Sequence, residues 1–198
     1  GKKLSGATRA CIAAQNGQVE VVRVVSELGA NVETPSNDGA TPAYIAAQNG
    51  HVEVVRVLAE LGANVETPEN NGCTPAWIAA AQGHVEVVRL LAELGANVDT
   101  PRDGGVTPAR IAAQHGHEKV VRLLAELGAS VDTPANGGWT PAYIAAQKGH
   151  VEVVRLLAEL GASVDTPAND GATPAFTAAQ DGHDKVIRLL ASLKPELV

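Results

Sequence analysis

The chain has 198 residues, of which 45% are apolar and only 3% aromatic, so it is no disordered tail and its core must be built from alanine, valine, leucine and isoleucine. No apolar run approaches the roughly 20 residues that a membrane-spanning helix needs. Net charge is −7, with 22 acidic and 15 basic residues spread along the chain. That balance argues against a nucleic-acid partner, which requires clustered positive charge.

Lys2 and Lys3 are followed by small and polar residues, not by the apolar stretch of a secretory leader. There is no methionine, and the first residue is Gly1. Both features point to an excised or tag-cleaved chain. Cys11 and Cys73 form neither a disulfide framework nor a CxxC metal pair, so a reducing, cytoplasmic setting is expected.

In chain order, the first elements belong to a worn copy of a sentence that recurs. It opens at Gly6, with Thr8 followed by Arg9. The next copy is complete. Thr41 is a good helix N-cap and Pro42 suits the first helical position. A short helix then runs through Ala43, Tyr44, Ile45, Ala46, Ala47 and Gln48, and Gly50 ends it in a left-handed turn. A second helix is predicted over about 51–61, stopped by Gly62. Glu53, Arg56 and Glu60 make one charged stripe on it, and the rest is apolar. A helix with one wet stripe needs a neighbour on each flank. Asn37-Asp38-Gly39 is turn chemistry, and its counterparts lead into each later copy.

Thr-Pro-Ala recurs at Thr41, Thr74, Thr107, Thr140 and Thr173, always 33 residues apart. Residues 36–68 and 135–167 agree at 26 of 33 positions. A fixed period without insertions predicts a solenoid whose units pack only on their neighbours. It is read as one domain, 1–198, with units 1–35, 36–68, 69–101, 102–134, 135–167 and 168–198. The first and last copies read as polar caps: Gln18 replaces the usual histidine at the start, and Thr177, Asp181, Asp184 and Ser192 mark the end, which closes in "LKPELV".

The joint pattern G-x-T-P, A-A, G-H, V-V-x-L and G-A-x-V, as in "GATPAYIAAQNGHVEVVRVLAELGANV", resembles the ankyrin repeat over essentially the whole chain. "GKKL" resembles the capping start of engineered ankyrin scaffolds. The resemblance implies an all-α solenoid of stacked helix-turn-helix units with β-turn fingers. There are departures. The family reads T-P-L-H, whereas here T-P-A precedes Tyr44, Trp77, Arg110, Tyr143 or Phe176. The inter-repeat hydrogen bonds of the missing signature histidine are therefore in question.

Chemistry finds little support. His51, His84, His117, His150 and His183 recur once per unit, too far apart to converge on an ion at about 2 Å. They read as helix starters. No phosphate loop or nucleophile elbow is present. No catalytic, cofactor or metal site is assigned, and an enzyme is the poor hypothesis. The variable positions are more telling. In ankyrin-like proteins they correspond to the fingertips and concave groove, where a protein partner binds. They include Arg102 at the turn start, Cys73, Val106 and Trp139 before Thr-Pro, and Gln82, His115 and Lys148 before the mid-unit glycine. With Asn71, Trp77 and Arg110 they form the expected partner-binding set, centred on Trp139 because tryptophan and arginine anchor interfaces. Arg110 should be open to the groove or stacked on Trp77 or Tyr143, since a buried guanidinium needs a partner. The alternative is a solvated Arg110 above an aromatic ladder.

The leading expectation is a monomeric, non-enzymatic scaffold for a protein partner of unknown identity, with no nucleic acid, membrane or cofactor. The alternatives are a designed ankyrin repeat protein without a natural partner, and a regulatory segment of a larger enzyme or channel.

Overall fold

The structure, a computed structural model, describes residues 9–193. Thr8, the "GKKL" opening and residues 194–198 lie outside the described residues. The chain divides into two compact units, Gly1–Asp103 and Gly104–Val198.

The first unit contains α1 (Arg9–Gln15), α2 (Val19–Glu27), α3 (Pro42–Gln48), α4 (Val52–Glu60), α5 (Pro75–Gln82) and α6 (Val85–Glu93). The odd-numbered helices pack as one row, α1 on α3 on α5. The even-numbered ones form a second row, α2 on α4 on α6, and each helix also packs on its pair mate. The second unit repeats the plan with α7 (Pro108–Gln114), α8 (Glu118–Glu126), α9 (Pro141–Gln147), α10 (Val151–Glu159), α11 (Pro174–Gln180) and α12 (Asp184–Leu193). Among the described residues there is no strand. The all-α architecture of stacked helix pairs is the one expected.

Local chemistry explains each element. Thr41 is extended, and its hydroxyl accepts the amide proton of Tyr44 at 3.2 Å, with Pro42 next in line. Thr74, Thr107, Thr140 and Thr173 cap α5, α7, α9 and α11 in the same way. Such a cap is worth about 1 kcal/mol. At the other end of α3, Gly50 adopts φ +75°. The amide of His51 then donates to the Ala46 carbonyl at 3.0 Å and that of Gly50 to Ala47 at 3.3 Å, the two closing bonds of a Schellman motif. In α4 the side chains of Val54, Val55, Val57 and Leu58 are buried, as their counterparts are in α6, α8 and α10. Alanine at positions such as Ala46 and Ala47 lets the first-helix row close up. The charged stripe lies outside. Arg56 meets Glu53 at 3.6 Å, and Arg23 on α2 reaches Glu60 on α4 at 3.0 Å. These exposed pairs contribute less than about 1 kcal/mol each.

Two expectations need correction. The recurring histidines occupy the N-cap positions of their helices, yet their side chains do not cap them. Four of the five rings reach back one pair instead. His51 Nε2 lies 3.1 Å from the Gln15 carbonyl, His84 Nε2 3.0 Å from Gln48, His150 Nε2 3.0 Å from Gln114 and His183 Nε2 2.9 Å from Gln147. A carbonyl only accepts, so Nε2 carries the proton. Each acceptor belongs to the last residue of a first helix, where carbonyls lack intrahelical partners. These inter-repeat hydrogen bonds belong to the G-H histidines and are distinct from those of the T-P-L-H position, where Tyr44, Trp77, Arg110, Tyr143 or Phe176 stands here.

The polar-cap reading fails at the first pair. Val21, Val24 and Leu28 on α2 are exposed, Leu28 at 76%. The counterparts of Val21 and Val24 one period on, Val54 and Val57, are 1% and 2% exposed because α2 covers them, whereas Leu61, the counterpart of Leu28, is 37% exposed. The last pair does present Asp181, Asp184 and Ser192, but Thr177, counted with them, is buried at 2%, and Phe176 is an apolar exception at 60% exposure.

Candidate functional site

In the second unit the turn before α9 is closed by Ala135 donating to the Trp139 carbonyl at 3.2 Å and Gly138 donating to Ala135 at 2.9 Å. It is tied to its neighbours: Asn136 donates to the Gly104 carbonyl at 2.9 Å, and Asn169 donates to Gly137 at 2.9 Å. Gly138 must be bare as well as left-handed, since a Cβ there would sit 2.7 Å from Asn169 Oδ1. The Trp139 indole lies against Gly137, whose missing Cβ would be 3.3 Å from the ring. Trp139 is 43% exposed, a flat apolar surface held against backbone.

Arg110 lies beneath it. It is 6% exposed, and its Nε donates to the Trp139 carbonyl at 3.1 Å. This corrects the open or solvated position expected for that column. Tyr44, Trp77 and Tyr143 are buried like Arg110, and only Phe176 is open. A backbone carbonyl meets the buried guanidinium, as burial of a charge requires. His115 and Lys148 are exposed at the C-terminal ends of α7 and α9. The His115 ring stacks on His117 with centroids 5.9 Å apart. Val106 is buried, so it can support a surface but cannot form one.

In the first unit Asn71 and Gln82 are exposed, whereas Cys73 and Trp77 are buried. Arg102 supplies a cation–π contact, its guanidinium carbon 5.0 Å from the centroid of the Trp77 ring. The same unit holds an open cavity of about 620 Å³ on the first-helix side, lined by Gln15, Asp38, Tyr44, Gln48, Glu69 and Gln82 among others. Asp38 accepts from the Ser36 hydroxyl, which with the Ala40 amide holds its carboxyl below the usual range. Glu69 accepts from the Cys73 amide at 3.3 Å and the Asn71 side chain at 3.1 Å. Burial, with Cys73, Glu69 and Asp38 nearby, pushes the Tyr44 phenol up. Burial and then Glu69 push the Cys73 thiol up to about 11. A thiol so held is protonated at neutral pH and is a poor nucleophile. Among the described residues no group of three or more His, Cys, Asp or Glu is placed to hold a metal ion, and no helix is long and apolar enough to cross a membrane.

Sequence reasoning centred the surface on Trp139 and, apart from Gln82, passed over the residues of this cavity. The signal was present: acidic residues in two successive turns, Asp38 and Glu69, on either side of Tyr44.

Known proteins match this arrangement. A family model described as ankyrin repeats (3 copies) matches residues 2–69, 62–135 and 128–197. The crystal structure of the human ASB11 ankyrin repeat domain is 29% identical, covering 95% of this chain and 84% of that one, with a TM-score of 0.84. No curated protein sequence matched the chain.

Proposed function

Because the chain belongs to the ankyrin repeat family, we propose that it is a non-enzymatic scaffold that binds a protein partner through its turn tips and first-helix surface. Ankyrin repeats are protein-interaction modules in general; the particular surface is our reading. The observation that carries it is the contrast between a fixed frame and variable exposed positions. The threonine caps, left-handed glycines and histidine-to-carbonyl bonds recur, while exposed side chains change from copy to copy: Asn49, Gln82, His115, Lys148, Asp181. Trp139 is the anchor of the second unit. It is aromatic, exposed and held by a turn whose carbonyl Arg110 fixes. Preorganisation of that kind lowers the cost of binding. In this reading the chain is a monomeric six-unit array, with units 36–68, 69–101, 102–134 and 135–167 between terminal units 1–35 and 168–198, and it works in the cytoplasm.

The test is capture of a partner from a cytosolic extract, followed by titration of the purified partner. Trp139→Ala should weaken binding by about thirtyfold, as loss of a hot-spot tryptophan does. Arg188→Ala, an exposed change on α12, should leave it unaltered. Equal binding by the wild type and Trp139→Ala would refute the assignment.

A second reading is a designed array with no natural partner. It is favoured by the 26 of 33 identities between residues 36–68 and 135–167. The same experiment separates the two, since such an array captures nothing in a Trp139-dependent way.

A further inference from the structure

The cavity of the first unit has a chemistry of its own. Its walls carry two carboxylates, Asp38 and Glu69, with the amide side chains of Gln15, Gln48 and Gln82 around them. Tyr44 is 8% exposed and lines the cavity, and no residue of the described structure hydrogen-bonds to its hydroxyl. That hydroxyl lies in the field of Cys73, Glu69 and Asp38. A buried phenol normally finds a polar partner, because leaving one unmade is costly. Here no group among the described residues supplies one, and the hydroxyl is left open to the cavity.

The nearby cation does not fill this role. Arg102 lies over the Trp77 ring and is not among the residues lining the cavity. Among the described residues it makes no ion pair with Glu69. Both carboxylates accept hydrogen bonds only from neutral groups, Ser36 and Ala40 for Asp38, Cys73 and Asn71 for Glu69. Neither carboxylate is thus engaged in a salt bridge among the described residues, although Arg102 lies near enough to act on the same Cys73 thiol as Glu69.

We propose that this cavity receives the guanidinium of an arginine side chain from a protein partner, with Asp38 and Glu69 as charged acceptors and the Tyr44 hydroxyl as a neutral one. This rests on the protein-binding reading above and adds the chemistry of the partner. Arginine suits the site better than lysine. The acceptors come from two turns and a helix, so they are spread around a wide opening. A guanidinium presents five donors in a fixed fork, whereas an ammonium is a compact point charge. The volume, about 620 Å³, admits a whole arginine side chain with water around it.

The experiment is an amide NMR titration of the intact chain with N-acetyl-arginine amide. Saturable shifts are expected at residues 36–49, 69–73 and 82, with a dissociation constant on the order of millimolar for so small a ligand. Citrulline, which has the same shape without the charge, should bind about tenfold more weakly or not at all. The lysine analogue should fall between the two. Glu69→Gln and Asp38→Asn should each weaken arginine by several-fold, roughly the loss of one charge-assisted hydrogen bond. Tyr44→Phe keeps the buried ring and should weaken it less, by about threefold. Unchanged amide spectra away from the cavity verify that each variant is folded. Arginine and citrulline binding alike, or no shift at tens of millimolar arginine, would overturn the proposal. So would variants that bind arginine as the wild type does. Trp139-dependent partner capture lies in the other unit, so its survival alongside a failed titration would remove only this inference.

Discussion

Replacing Gly149 by alanine should cost more than replacing Gly161 by alanine, although both glycines adopt left-handed backbone, φ +74° and +82°. The conformational penalty common to both is about 1–2 kcal/mol. The surroundings differ. A Cβ at Gly161 meets nothing within 4 Å, whereas one at Gly149 would lie 2.7 Å from His183 Nδ1 and 2.8 Å from Cε1. The ring must move, and with it Nε2, which sits 2.9 Å from the Gln147 carbonyl. Losing that bond adds about 0.5–1.5 kcal/mol. Gly149→Ala should therefore cost about 1.5–3.5 kcal/mol in total, summing the two ranges. Units of a repeat array are coupled chiefly to their neighbours, so the damage should appear first as faster amide exchange in α11 and α12. Urea unfolding followed by circular dichroism gives the total. In a His183→Ala background the two glycine replacements should cost the same. Equal costs in the wild-type background, or a gap that survives removal of His183, would refute the assignment of that ring to the junction.

Arg110→Tyr installs the residue found at Tyr44 and Tyr143 and removes a buried charge, so stability should change by less than about 1 kcal/mol. Arg110→Ala opens a cavity and should lose about 3 kcal/mol in the same urea assay; equal losses would contradict the packing described. The Cys73 thiol is raised from 9.0 to about 11 by burial and by Glu69. The folded state therefore favours the protonated thiol, and its contribution is present below pH 9 and lost as pH rises towards 11. The urea midpoint should fall across that window, and Cys73→Ala should flatten the fall. A midpoint that drops as steeply without Cys73 would exclude it as the source.

What could be read from the sequence was what neighbouring residues decide among themselves. Thr41 before Pro42, and Gly50 after Asn49, determine a helix's ends within a few residues, so α3 and its copies fell where the text placed them. The period supplied the stacking. Contacts across a period were harder to see. His51 looked like a helix starter because its acceptor, Gln15, is 36 residues away. Cys73 and Val106 looked like surface positions because they vary, yet both are buried, and variation at a buried site reflects tolerance of small apolar residues. The open or solvated alternative for Arg110 failed for a related reason. Charge suggested exposure, but the carbonyl that satisfies it belongs to Trp139, in the next turn. Only burial separates the exposed Trp139 from the buried Cys73 and Val106 at one repeat position.

The histidine bonds also bear on how such a chain could come into existence. Within the second unit, residues 135–167 contain His150, which donates to Gln114 behind it, and Gln147, which accepts from His183 ahead. One segment thus carries both halves of the joint, a head-to-tail contact that does not close on itself. An accidental duplication of the encoding stretch would deliver a copy whose donor and acceptor already fit its parent. Lengthening requires no compensating mutation, and the exposed side chains of the newcomer are then free to diverge.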